Sequence, residues 1–198
     1  MNVKKFLTCV VLSIIISLFF IPALSYADDN NLNIEAPSAI LMDNDTGKIL
    51  YEKSAYEKRE PASTTKIMTA MLTLEHCTLD EVATVTSEAI KDVPSGYSSD
   101  LLKMGEELTV EDLLYALLVK SSNEAANVLA IHIAGSVESF ATMMNTKANQ
   151  LGCKNTHFVN PNGVHDENHY TTAYDLAIMT REAMKKDTFR QIVCTVAY

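Results

Sequence analysis

The sequence predicts an α/β (α+β) fold in which an N-terminal β-hairpin precedes a largely helical lobe, and three observations carry this expectation. Residues 38–42 are mostly apolar, Asp43-Asn44-Asp45-Thr46-Gly47 is turn chemistry, and Ile49, Leu50 and Tyr51 restart a strand pattern. After Pro61 apolar residues recur at helical spacing through most of the chain. Serine, threonine and glycine stand where those helices would be capped.

Taken in order, strands are expected at roughly 37–43 and 48–53. The first long helix spans 63–76, with Ile67, Met68, Met71, Leu72 and Leu74 at helical spacing. Thr109-x-x-Asp112 resembles a capping box opening a helix over 113–119. A helix over 123–134 runs to Gly135, the next covers 136–151 and closes on Gly152, and the last covers 172–186. There is no internal repeat and no low-complexity tract.

A different texture precedes the hairpin. Residues 1–5 hold two lysines and no acid, residues 6–21 are apolar except for Thr8, Cys9, Ser13 and Ser17, and Ser25-Tyr26-Ala27 puts small residues at both positions a signal peptidase reads. The run is nearly long enough for a retained membrane anchor. The small-x-small site, followed at once by Asp28, Asp29 and Asn30, favours a secretory signal over 1–27 cut after Ala27. The mature chain, 28–198, then has 198 − 27 = 171 residues, and loss of two lysines moves the formal charge from −9 to −11. With 47% hydrophobic and 21% charged residues it is globular, one domain in size, and too acidic for nucleic acid or for a basic membrane-binding face. Cys77, Cys153 and Cys194 remain, an odd number with no C-x-x-C spacing, and are expected as buried free thiols.

The chemistry begins at Pro61-Ala62-Ser63-Thr64-Thr65-Lys66. A serine at a helix start with a lysine three residues on places both side chains on one face, about 5–6 Å apart at Cβ. A hydroxyl is inert until a base takes its proton, and a lysine can do so if burial keeps it neutral. The free N–H groups of the helix N-terminus suit a developing oxyanion. Alone, Ser-x-x-Lys is as consistent with a capped helix and a solvated lysine. The second element is Ser121-Ser122-Asn123, set between the apolar runs 113–119 and 125–133. Either serine could cap the following helix; otherwise Ser121 would relay a proton and the Asn123 amide would donate to a substrate carbonyl.

With both motifs in order, the chain resembles the low-molecular-mass penicillin-binding proteins, serine-type D-alanyl-D-alanine carboxypeptidases that trim peptidoglycan stem peptides. The resemblance runs from about Ala36 to the end and includes Lys103-Met104-Gly105-Glu106, Leu151-Gly152-Cys153-Lys154-Asn155-Thr156, Asn160-Pro161-Asn162-Gly163 and His169-Tyr170-Thr171-Thr172-Ala173-Tyr174-Asp175-Leu176. It implies a β-lactamase/D,D-peptidase-like fold with Ser63 as acyl-ester nucleophile, Lys66 as general base, Ser121 as proton relay and Asn123 as substrate-binding residue. It also implies a pentapeptide substrate ending in D-Ala-D-Ala, inhibition by β-lactams, no cofactor, action outside the cytoplasmic membrane or in the cell wall, and peripheral membrane association for a full-length member.

One family element is missing. The third motif, Lys-Thr-Gly on a central strand, follows the second by on the order of a hundred residues, whereas 198 − 123 = 75 residues follow Asn123 here and none reads that way. Lys103-Met104-Gly105 precedes the second motif in a turn and is no substitute. The expected sheet is therefore incomplete, the catalytic domain C-terminally truncated, and the substrate-carboxylate site and half of the oxyanion hole absent. A non-catalytic fragment is one rival reading. A serine β-lactamase is another, but it would use Glu-x-x-x-Asn to activate water, and Glu167 is followed four residues later by Thr171. His165-Asp166-Glu167-Asn168-His169 lies in a loop without the helical geometry of a zinc pair, so no metal is expected; His169 and Asp175 should bond locally near the last helix start, and His132 should be a packing residue.

Overall fold

The computed structural model describes residues 32–91, 99 and 102–197. Contacts divide the chain into Met1–Asn33 and Ile34–Tyr198, and the second unit is the subject below. The expected signal over 1–27 lies outside the described residues.

Strands β1 (Ala39–Met42) and β2 (Ile49–Lys53) form the anticipated antiparallel hairpin, with a register shift at Leu41/Met42. Its turn is closed by Gly47 N–H on Asp43 O at 2.9 Å and by Thr46 N–H on the Asp43 carboxylate at 2.8 Å, with Gly47 at φ +74°. Arg181 holds the turn from outside, donating from Nε to Asn44 O at 2.6 Å and from Nη2 to Asp45 O at 2.8 Å. Among the described residues no third strand joins this ribbon. Leu41 and Leu50 stay 53% and 48% exposed.

A 3-10 turn (Ala62–Thr65) leads into α1 (Lys66–His76), so the helix expected from 63 begins as a tighter coil at the serine. Residues 77–109 hold elements that the sequence pattern did not reveal: β3 (Val82–Thr84) and β4 (Glu107–Thr109), a second antiparallel pair, with the short α2 (Ser87–Lys91) between them. Three-residue strands are too short to show a period. Lys103-Met104-Gly105 forms the turn before β4, as expected.

The four helices that follow start where their caps stand. In α3 (Val110–Val119) the Thr109 hydroxyl accepts from Asp112 N–H; Ser122 does the same for Ala125 in α4 (Asn123–Ala134), Ser136 for Ser139 in α5 (Val137–Gln150), and Thr172 for Asp175 in α6 (Ala173–Ala183). Helix α4 ends on Gly135 at φ +80°. The last expected helix, 172–186, is in fact two: α6 stops at Ala183 and α7 (Asp187–Val193) follows. Helix α4 is central, packed against α1, α2, α3 and α5. Its Ala125, Ala126 and Ala130 are small enough for close approach, and Met68, Met71, Leu113, Leu117, Leu129, Phe140 and Met144 fill the space around it.

Two expectations are corrected by this packing. Cys153 is buried and Cys77 half-buried, with thiol pKa values pushed by burial to about 12 and about 11, but Cys194, past the end of α7, is exposed. His132 does not pack in the core; it sits on the outer side of α4, where Nε2 meets the Glu81 carboxylate at 3.3 Å. The last turn of α4 rises out of the core, so its periodic positions reach solvent. No helix of the described residues is long and apolar enough to cross a membrane.

Candidate active site

The 3-10 turn leaves Ser63 exposed and turns Lys66, one helical step on, into the interior at 2% exposure. Lys66 Nζ donates to three oxygens: Asn123 Oδ1 at 2.7 Å, the Asn162 carbonyl at 2.7 Å and Ser63 Oγ at 3.3 Å. Burial lowers its pKa to about 8, with the Glu124 carboxylate acting weakly the other way. The pattern of distances matters chemically. The two short bonds go to carbonyl oxygens, which can only accept, and the long one goes to a hydroxyl, which can also donate. When Lys66 loses a proton it keeps the two short bonds and turns its lone pair toward Ser63, the arrangement a base needs.

The second motif resolves as its residue types permit. Ser122 is the helix cap, its hydroxyl accepting from Ala125 N–H at 3.2 Å. Ser121 is thereby left out of the cap, in the left-handed region at φ +60°, an uncommon state for a residue other than glycine. It lines an open cleft of about 440 Å³ together with Ser63, Lys66, Ile67, Leu117 and Phe189. The Ser121 hydroxyl makes no direct hydrogen bond to Ser63 or Lys66 in this structure. Asn123 is buried beside Lys66, and because its Oδ1 takes the lysine, its amide NH₂ remains as donor.

Several residues that hold this arrangement were not singled out from the sequence. Asn162 supplies the carbonyl under Lys66, and its side chain is fixed by Asn127, which accepts from Asn162 Nδ2 at 3.0 Å and donates to Ala89 O at 2.9 Å. Thr69 donates to Pro161 O at 2.6 Å. Gly163, at φ +85°, lies so close to the serine turn that a Cβ there would overlap the Ala62 carbonyl oxygen and lie 3.1 Å from Ser63 N. Ala62 itself has φ +47°. The Asn160-Pro161-Asn162-Gly163 loop is therefore the floor under the nucleophile, and only its turn chemistry was legible beforehand.

His169 is also more than local. It is buried, 104 residues from Thr65, whose hydroxyl lies 2.8 Å from Nε2. Val159 N–H donates to Nδ1 at 3.1 Å, so the ring proton sits on Nε2 and is given to Thr65 Oγ1. Burial pushes its pKa down to about 4, which keeps the ring neutral. Asp175 does bond near the helix start, accepting from Asn155 N–H and Thr156 Oγ1, each at 2.8 Å. His165 pairs instead with Glu60 at 3.2 Å, so the two imidazoles of the loop have separate partners.

A serine-bearing helix start packed on an all-helical lobe, with a second serine motif across one cleft, is the architecture of the D,D-peptidases. A mutant of the Streptomyces K15 DD-transpeptidase matches with TM-score 0.79 and 37% identity over 83% of this chain and 67% of that one. Penicillin binding protein 6B from Escherichia coli matches with TM-score 0.76 and 37% identity over 80% of this chain and 53% of that one. The chain belongs to the D-alanyl-D-alanine carboxypeptidase family, peptidase S11, whose model matches residues 25–197. The D-alanyl-D-alanine carboxypeptidase DacF of Bacillus subtilis is 38% identical over 199 residues, 97% of this chain and 51% of that protein. The chain thus spans about half the length of that curated relative.

Proposed function

We propose that the chain carries the acyl-transfer half of a penicillin-sensitive serine D-Ala-D-Ala carboxypeptidase that acts on peptidoglycan stem peptides outside the cytoplasm. The observation that carries the reading is the exposed Ser63 hydroxyl 3.3 Å from a buried Lys66 whose pKa is lowered to about 8. Neutral Lys66 takes the Ser63 proton as Oγ attacks the carbonyl of the penultimate D-alanine. Asn123 donates its amide to the substrate, and Ser121, on the same cleft, passes the proton to the departing D-alanine. Water then releases the acyl group, whereas a β-lactam leaves slowly from the same serine. Secretion after cleavage behind Ala27 would bring the site to its substrate, and peripheral association with the membrane is part of the same reading.

Lys-Thr-Gly does not occur after Asn123 in the sequence. This polypeptide alone is therefore expected to release D-alanine only near background, since loss of one oxyanion donor costs on the order of 100- to 1000-fold. The test is labelling by a fluorescent penicillin, in this chain and in the chain extended by the Lys-Thr-Gly segment of a relative, each beside its Ser63→Ala variant. Label on the extended chain that maps to Ser63 and vanishes in Ser63→Ala supports the reading. Absence of label from that chain, or label that survives the substitution, refutes it.

A further inference from the structure

Outside the cleft, one group of metal-ligating side chains comes together from three separate elements. Cys77 closes the C-terminus of α1, Glu81 lies in the turn before β3, and His132 belongs to the last turn of α4. One donor atom from each falls within 4.8 Å of the others, and His132 Nε2 and Glu81 Oε2 are 3.3 Å apart. The carboxylate is pre-oriented: Thr78 N–H donates to Glu81 Oε1 at 2.6 Å, which leaves Oε2 toward the imidazole. Its backbone is anchored as well, since Val110 N–H donates to Glu81 O at 2.8 Å.

We propose that Cys77, Glu81 and His132 bind one zinc ion, which ties the end of α1 to α4 and to the turn before β3. The donor set selects the metal. A thiolate and an imidazole with one carboxylate suit a tetrahedral, borderline-soft ion, whereas calcium and magnesium take oxygen ligands. Zinc bonds of about 2.0–2.3 Å at tetrahedral angles set donor atoms roughly 3.3–3.7 Å apart. The His132–Glu81 pair already has that spacing, and Sγ of Cys77 must move in by roughly 1 Å, within reach of a side-chain torsion. Water completes the coordination, and the thiol proton of Cys77 passes to solvent as the sulfur binds. The site is at the far end of α1 from Lys66, about 15 Å along an eleven-residue helix. It is therefore independent of the acyl-transfer reading. Fifty-five residues separate Cys77 from His132, so no local spacing could have revealed it.

The experiment uses the full chain in a Cys194→Ser background, which removes the exposed thiol. Zinc chloride is titrated by calorimetry under a non-thiol reductant, and cobalt(II) is added separately to read the thiolate-to-metal charge-transfer band. One equivalent of zinc, a cobalt–thiolate band and a zinc-dependent rise in Tm are expected. Cys77→Ser should abolish the band, and the surface variant His132→Gln, which keeps the core intact, should weaken zinc binding by roughly 10- to 100-fold or more. Absence of saturable one-to-one binding, or binding that both substitutions leave unchanged, would overturn the proposal and leave an ordinary ion pair beside a thiol.

Discussion

The depressed basicity of Lys66 is the feature of the site most open to direct measurement. A lysine with the ordinary pKa of 10.5 is neutral in about one molecule in 3000 at pH 7, while one with a pKa of about 8 is neutral in about one in ten. Burial thus raises the supply of free base by roughly 300-fold before any substrate arrives. The measurement is the ε-carbon NMR titration of lysine-labelled protein, with the Lys66 resonance assigned by its loss in Lys66→Met. A midpoint near 8 is expected. Glu124→Gln should move it lower, because that buried carboxylate is the charge that favours the ammonium. The sign of the linked stability follows. Between about pH 8 and 10.5 the unfolded chain binds a proton that the folded chain does not, so wild type should gain stability relative to Lys66→Met as pH rises through that window. A titration midpoint close to 10.5, or an upward shift in Glu124→Gln, would refute the account of how Ser63 is activated.

The buried neutral His169 has the same sign in a different window: unfolded imidazole titrates near 6.5 and the folded ring near 4, so its contribution to stability is lost as pH falls from about 6.5 to about 4. Urea unfolding of wild type and His169→Gln across that range should converge toward the acid end; parallel curves would count against it. Gly163→Ala should lower Tm by several degrees, since left-handed backbone costs alanine about 1–2 kcal/mol and the methyl group meets Ala62 besides. The same variant should lose penicillin labelling in the extended chain, because about 1 Å of displacement at the nucleophile costs on the order of 100-fold; unchanged Tm and labelling would show that the loop yields freely. The two-stranded ribbon with Leu41 and Leu50 exposed should promote association, visible by analytical ultracentrifugation and reduced in Leu41→Lys/Leu50→Lys. A monodisperse wild-type monomer would contradict this.

Much of the lobe was legible because its signals are local. Thr109, Ser122, Ser136 and Thr172 cap helices whose apolar faces follow the 3.6-residue period, and Asp43 to Gly47 forms a hairpin turn by its own side-chain and backbone hydrogen bonds. Ser63 and Lys66 were legible for the same reason, since three residues on one helical turn must face the same way. What failed was short or depended on which side of an element faces outward. The strands Val82–Thr84 and Glu107–Thr109 are too brief to show alternation, and His132 looked like a core residue until the packing of α4 put it at the surface.

The residue types and order of the two motifs, and with them the family, belong to the sequence alone, because nucleophile and base are set by chemistry within one turn and by the cap of the next helix. Only the tertiary structure decides how the lysine comes to be a base. Its burial, the Asn162 carbonyl 96 residues away and the Asn123 amide oxygen 57 residues away converge through packing that no local pattern encodes. The same holds for Gly163 against Ala62, for His169 on Thr65, and for the meeting of Cys77, Glu81 and His132. A pKa shift and a ligand cluster are properties of distance in space, and distance along the chain carries no information about either.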